Sequence, residues 1–324
     1  MWWATGVTDL ARVQSRVSTL YLDKCSIDRT RNSITVDTAR GTLRIPAALI
    51  GTLLLGPGVT VTHGAMVLLA NSGTAVCWVG QNAVRFYAGG TSTSATARVA
   101  LRQAWLVSRP RERLAVARAM YALRFPGENV DELTMQQLLG REGSRVRALY
   151  AQHSRRTGVP WTGRAYIAGN AMAAGDDVNR LLSAANTALY GASHAAVLGV
   201  GAVPSLGFVH SGAANSFVLD IADIYKHETT IPLAFDLASA GQLSERAARL
   251  AFRDLVVELR LMERIANDVL ALLGNPTRDD SASVGLWDGR DVVAAGVNYA
   301  EDMGSVVDPD FAAAPHSAPA DTEQ

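Results

Sequence analysis

The feature that most constrains this chain is a change of character close to residue 90. Residues 88–96, AGGTSTSAT, are rich in Gly, Ser and Thr and poor in apolar side chains, as expected of an interdomain linker. Before it, short runs of Val, Ile, Leu and aromatics are punctuated by Gly, Asn and Pro, which is how strands read. After it, Ala, Leu and Arg dominate with helical periodicity. The expected fold class is therefore α+β and multidomain. A small N-terminal β-sheet domain (1–88) and the linker (89–96) precede a larger all-α C-terminal domain (97–274). An acidic, mostly disordered tail (275–324) follows, because its Ala/Pro/Asp-rich sequence can bury little.

Strands are expected at 17–22, 33–37, 42–45, 49–55, 74–79 and 83–87. One short helix should start after Thr62 as N-cap and end by Gly73; His63, at its start, reads as a polar N-terminal residue. Helices are expected at 97–108, 110–124, 131–153, 176–199, 216–226, 230–240 and 244–273. Pro110 separates the first two, since proline is tolerated only in a helix's opening turn. Ser244 reads as the N-cap of the last.

The 324 residues leave room for two domains with real cores. Two cysteines, Cys25 and Cys77, make neither a disulfide framework nor a C-x-x-C metal site, which fits a reducing compartment. The opening MWWATGVTDLARV has no basic region followed by an apolar core. The longest weakly polar stretch, 195–209, is broken by Gly and Pro and falls short of the ~20 residues of a membrane span. A soluble, cytoplasmic protein is expected. The net charge of zero hides an asymmetry. From Asn275 onward ten acidic residues face only Arg278 and Arg290, so the rest carries twenty-eight basic against twenty acidic side chains. Only Lys24 and Lys226 among the basic residues are lysines, and arginine's planar fork suits phosphate oxygens. A basic body with an acidic tail is compatible with a polyanionic partner.

The chemistry is expected between Gly207 and Lys226, GFVHSGAANSFVLDIADIYK. His210 lies on a Gly-flanked loop, Asn215 and Ser216 are N-cap types, and Phe217, Ile221 and Ile224 recur at helical spacing. Asp220 and Asp223 are three residues apart and share a face. Two carboxylates ~5–6 Å apart at an effective dielectric of ~20 repel by roughly 3 kcal/mol. Lys226 would relieve that, and so would a divalent metal with His210 as nitrogen ligand; solvated aspartates on a helix face remain the plain alternative. Upstream, Glu142 in LLGREGSRVRALY lies among Leu138, Leu139, Val146 and Leu149, where an ionised carboxylate needs a partner or a metal. A salt bridge to Arg145 is one solution. Gly140 and Gly143, each costing ~1 kcal/mol in a helix interior, imply a close approach to that backbone.

Taken in order, GREGSRVRALY, TALYG, GFVHSG and SFVLDIADIYK, behind an N-terminal β module, closely resemble the CRISPR-associated integrases of spacer acquisition. This is the first-numbered family of CRISPR-associated proteins, and the wording is nearest its type I-E branch. The resemblance spans about residues 17–273. It implies a catalytic set of Glu142, His210, Asp220 and Asp223, with Glu142, His210 and Asp223 binding Mg²⁺ or Mn²⁺. It also implies that Arg85, Tyr166, Tyr190 and Lys226 contact DNA. The implied reaction is attack by a 3′-hydroxyl of captured DNA on a phosphodiester at the leader-proximal CRISPR repeat. The implied partners are double-stranded DNA (prespacer and repeat), a second copy in a homodimer, and a small ferredoxin-like companion completing a heterohexamer. Ala213 and Leu219 stand where type I-E relatives carry a lysine and a tyrosine that read the protospacer-adjacent motif, and a tryptophan expected after Tyr166 is missing. Two other readings stay open: a structure-selective nuclease of branched DNA, and a non-catalytic DNA-binding scaffold.

Overall fold

A computed structural model describes residues 17–81, 85–90, 97–164 and 176–275, and two short strands at 285–287 and 292–294. Two four-stranded sheets come first. In one, β1 (Val17–Leu22), β5 (Ile50–Leu55), β7 (Ala75–Val79) and β8 (Phe86–Gly90) lie side by side, the first three parallel and the last antiparallel. In the other, β2 (Ser26–Thr30), β3 (Ser33–Thr38) and β4 (Gly41–Pro46) form an antiparallel meander, and β6 (Thr60–Val61) pairs parallel to β2. Helix α1 (His63–Asn71) packs on β2, β3 and β7. Its N-cap is Thr62, whose hydroxyl accepts from the Ala65 amide at 3.2 Å.

The sequence IGTLLL of β5 is buried at every position because the strand is covered on both faces. Leu53 and Leu55 join Ile27, Ile34, Val36 and Leu69 in the core between the sheets and α1. Leu54 faces the other way, packing with Cys77, Val79 and Ala195 of the helical part.

The helical part comprises α2 (Arg98–Val107), α3 (Pro110–Arg124), α4 (Met135–Thr157), α5 (Asp177–Gly199), α6 (Ser216–Tyr225), α7 (Thr230–Ser239), α8 (Glu245–Glu258) and α9 (Leu261–Leu272). Helix α5 is its axis. It is buried on nearly all sides, as a helix hydrophobic all round must be, and it touches α6, α7, α8 and α9 as well as β5, β7 and β8. Small residues permit that crowding. A Cβ on Gly199 would stand 2.6 Å from Thr52 Oγ1 of β5. No helix among the described residues is long and apolar enough to cross a membrane.

The order of an N-terminal β region and a helical C-terminal region is as expected. Several boundaries are not. The expected linker begins inside β8, which runs to Gly90; the rest of it, 91–96, lies outside the described residues. Strands β2 and β6 went unforeseen because SIDRT and TV have little apolar periodicity; pairing with β3 recruits β2, and β2 in turn recruits β6. The helix expected from 131 starts at 135, where Thr134 and Gln137 form a reciprocal capping box. The last expected helix is two helices, because Arg260 adopts a left-handed conformation with φ 47°. Of the tail, β9 (Gly285–Trp287) and β10 (Val292–Ala294) pair as an antiparallel hairpin in a separate unit; apart from Asn275, its other residues lie outside the described residues.

His194 of α5 stacks on Phe86 of β8 with ring centroids 3.6 Å apart. Burial pushes its pKa down to about 4 from 6.5. Between those values the unfolded chain takes up a proton that the folded one refuses, so stability is lost as pH falls through that window. Replacing His194 by Phe keeps a ring in the stack and removes the titration. Melting temperatures of wild type and His194→Phe should therefore diverge between pH 7 and pH 4.5, with the wild type falling further.

Candidate active site

Four elements bring the candidate residues together. Helix α3 turns a face bearing Ala117, Met120, Tyr121 and Arg124 inward, all buried at spacings of three and four. Helix α4, started by its capping box, buries Leu138 and so aims Glu142, one turn later, at that face. The hydroxyl of Tyr121 donates to Glu142 Oε2 at 2.6 Å, and Arg124 Nη1 donates to Glu142 Oε1. The same Arg124 nitrogen lies 3.9 Å from Asp223 Oδ2 of α6. One guanidinium thus joins both carboxylates. Burial, and then the bond to Glu142, raises the Tyr121 phenol far above its usual range, so it stays a donor.

The loop that carries His210 is organised by Asp220. This carboxylate, with no exposed side-chain surface, accepts from the amides of Phe208 (2.6 Å), Val209 (3.1 Å) and His210 (2.8 Å), and from His210 Nδ1 (2.7 Å). A carboxylate on Nδ1 fixes the imidazole orientation and leaves Nε2 free to face the cleft. The hydrogen bond to Asp220 raises the His210 pKa, burial opposes it, and the charges of Asp220, Asp223 and Glu142 add to the rise. The attraction is fully present below about pH 6.5 and fades as pH climbs through the raised folded value.

Asp220 and Asp223 do not form the mutually repelling pair expected. The first turns toward the loop. The second lies between Arg124 and Lys226, whose Nζ is 2.5 Å from Asp223 Oδ1 and 4.9 Å from the Tyr190 ring centroid. Burial alone would lower the Lys226 pKa, yet the Asp223 charge and contact with Tyr190 leave it raised. Glu142, His210, Asp220 and Asp223 line one cleft with Tyr121 and Arg124. Lys226 and Tyr190 stand behind Asp223. Arg85 is elsewhere, exposed just before β8 and not within a strand, with its carbonyl accepting from the Gly80 amide at 2.7 Å. Tyr166 lies outside the described residues.

Other expectations need correction. Arg145 pairs with Glu128, leaving Glu142 to Arg124. Nothing comes within 4 Å of a Cβ built on Gly140, and only Arg147 Nη1, at 3.8 Å, approaches Gly143. Among the described residues, no close approach explains those glycines. Asn215 makes no side-chain cap; Ser216 Oγ instead donates to the Ala213 carbonyl at 2.9 Å.

Sequence reasoning missed the residues that support the site. Buried Gln103 donates to the carbonyls of Val203 (3.0 Å) and Leu206 (2.9 Å) and accepts from the Val203 amide (2.7 Å). Arg113 Nε donates to the Phe208 carbonyl at 2.7 Å. Their partners are 95–103 residues away, so no local pattern betrays them. Arg124 did leave a signal: a charge at the seventh position after Ala117 on the apolar face of α3.

Among the described residues, no three His, Cys, Asp or Glu side chains stand in metal-holding geometry. The donor set nevertheless suits a hard divalent ion. Two carboxylates held by one cationic nitrogen, and an imidazole whose second nitrogen is free, are the groups such an ion takes.

A family model described as CRISPR associated protein Cas1 matches residues 20–126 and 126–260. The chain belongs to the Cas1 family. It is 44% identical to the CRISPR-associated endonuclease Cas1 of Clostridium sp. (strain SY8519), over 90% of this chain and 99% of that one. It is 41% identical to the CRISPR-associated endonuclease Cas1 2 of Thermus thermophilus, over 92% and 95%. The crystal structure of the TtCas1–DNA complex superposes with a TM-score of 0.73 at 43% identity, covering 80% of this chain and 97% of that one. The β-then-helical arrangement described above is the Cas1 fold.

Two substitutions test the loop anchor of this Cas1 protein. Asp220→Asn cannot accept all four hydrogen bonds, and should lower unfolding free energy by about 3 kcal/mol and drop the His210 pKa in an NMR titration. Gly207→Ala would place a Cβ 3.0 Å from Asp220 Oδ2 and 2.8 Å from Ser216 Cβ. It should cost about 1–3 kcal/mol in urea unfolding.

Proposed function

We propose that this Cas1 protein is a metal-dependent DNA integrase of spacer acquisition, of the type I-E branch. The observation that carries the reading is the convergence of Glu142, His210 and Asp223 on one cleft, with Asp220 holding the imidazole by Nδ1. Glu142, Asp223 and His210 Nε2 would hold Mg²⁺ or Mn²⁺, which supplies stabilisation of charge on phosphoryl oxygens and favours an attacking alkoxide. Asp220 keeps Nε2 aimed into the cleft. In the reaction the 3′-hydroxyl oxygen of the captured DNA loses its proton and bonds to phosphorus, the bond to the leaving 3′-oxygen of the target strand breaks, and that oxygen takes up a proton. One phosphodiester replaces another, so no nucleotide hydrolysis is needed.

DNA is the proposed substrate and partner. The exposed arginines of α2–α4, among them Arg98, Arg109, Arg111, Arg141, Arg147 and Arg155, supply a basic surface, and a relative at 43% identity was crystallised with DNA. Tyr190 and Lys226 act through Asp223 in this reading, while Arg85 and Tyr166 remain proposed DNA contacts. A homodimer, joined by the small ferredoxin-like companion in a heterohexamer, is the proposed assembly. The relatives' name of endonuclease favours a second reading, in which water is the nucleophile and branched DNA is nicked.

Incubation with the companion, a short duplex and a supercoiled repeat plasmid distinguishes the two, since only integration joins the duplex to the plasmid. Asp223→Asn and Glu142→Gln should each reduce joining by about a hundredfold or more while salt-dependent duplex binding stays within about twofold. Full joining by either variant removes these residues from the catalytic set. Nicks without joined products favour the nuclease.

A further inference from the structure

Among the described residues lining the cleft, Arg124 is the one cation, and nothing in the proposed chemistry uses it. It is the last residue of α3, 8% exposed, with its guanidinium 5.3 Å from the Phe125 ring centroid. Its Nη1 donates to Glu142 Oε1 and lies 3.9 Å from Asp223 Oδ2. Its Nε is buried with no hydrogen-bond partner. A buried guanidinium is normally held by most of its five donors, and burying an unsatisfied donor is costly. What holds this one is the pair of carboxylates, not a full set of hydrogen bonds.

The charge count points the same way. Glu142 and Asp223 bring two negative charges to the cleft, and Arg124 and Lys226 bring two positive ones. Asp220 and His210 are occupied with each other. Arg124 and Lys226 thus offset the two carboxylates that an incoming ion would otherwise meet. A divalent cation entering among Glu142, Asp223 and His210 would face a guanidinium hydrogen-bonded to Glu142 and 3.9 Å from Asp223. Like charges cannot share that position in a partly buried site.

We propose that Arg124 is a resident counter-ion that a divalent metal must displace from between Glu142 and Asp223. The proposal rests on the metal reading of the cleft and concerns how that site is kept before it is loaded. Arg124 stabilises the empty site and weakens metal binding by the same contacts, as linkage requires.

The test is binding of Mn²⁺ to the purified full-length chain, followed by electron paramagnetic resonance, for wild type and Arg124→Gln. Removing the guanidinium should tighten Mn²⁺ by about tenfold, within the range usual for coupled sites. It should also lower the metal-free melting temperature, with saturating Mn²⁺ restoring it toward the wild-type value. Equal or weaker Mn²⁺ affinity in Arg124→Gln overturns the counter-ion role while leaving the metal site standing. No binding to either protein overturns the counter-ion role and the metal reading together. If Arg124→Gln fails to fold, the unsubstituted protein decides. Its Arg124 guanidinium nitrogens should shift in ¹⁵N NMR as Mg²⁺ is added, and an unmoved signal at saturating Mg²⁺ overturns the proposal.

Discussion

The site depends first on a single buried carboxylate. Asp220 takes three consecutive backbone amides and one imidazole nitrogen, and a fully buried charge is tolerable only when paired and hydrogen-bonded to this extent. The loop from Gly207 to His210 is thereby wrapped around a side chain of α6. Gly207 is bare so that the wrap can close. Arg113 holds the outside of the same loop through the Phe208 carbonyl, and Gln103 holds the chain leading into it through the carbonyls of Val203 and Leu206. The histidine is set by α6 on one side and by α2 and α3 on the other. Its position is a property of the packed helices, not of the loop's own sequence.

Glu142 arrives by a different route. Its helix is long, and Leu138 is its one buried side chain. What fixes Glu142 is the facing surface of α3, where Tyr121 and Arg124 receive both of its oxygens. The site is therefore built between α3, α4 and α6, with α5 behind it. Tyr190 of α5 reaches it through Lys226. The family relationship over residues 20–260 and the shared fold place the chain in the Cas1 family, while the chemistry proposed for the site rests on the donor groups themselves.

Much of the scaffold was legible in the sequence, for identifiable reasons. Helices with clear punctuation were found almost to the residue: α3 behind Pro110, α5 ending at Gly199 and α6 from Ser216. β1 and β5 were legible from apolar content. What escaped was structure imposed from a distance. β2 exists because β3 and β6 pair with it, and the break at Arg260 has no Gly or Pro to announce it. At the site, spacing placed Asp220 and Asp223 on one helix, but spacing cannot say that one turns to backbone amides and the other to cations. Arg124, arriving from α3, was out of reach of any argument confined to the motif that carries His210.

Gly199 bears on how the two halves of the molecule are gauged. The final residue of α5 rests where a side chain would collide with Thr52 of the central strand, and the same helix carries His194 against Phe86 and Tyr190 against Lys226. Sheet and cleft are thus measured along one rod whose seating is set by a missing methyl group. A larger residue at that seat would lift the rod from the sheet, and the misalignment would be felt two and a half turns away, at the ring that steadies Lys226.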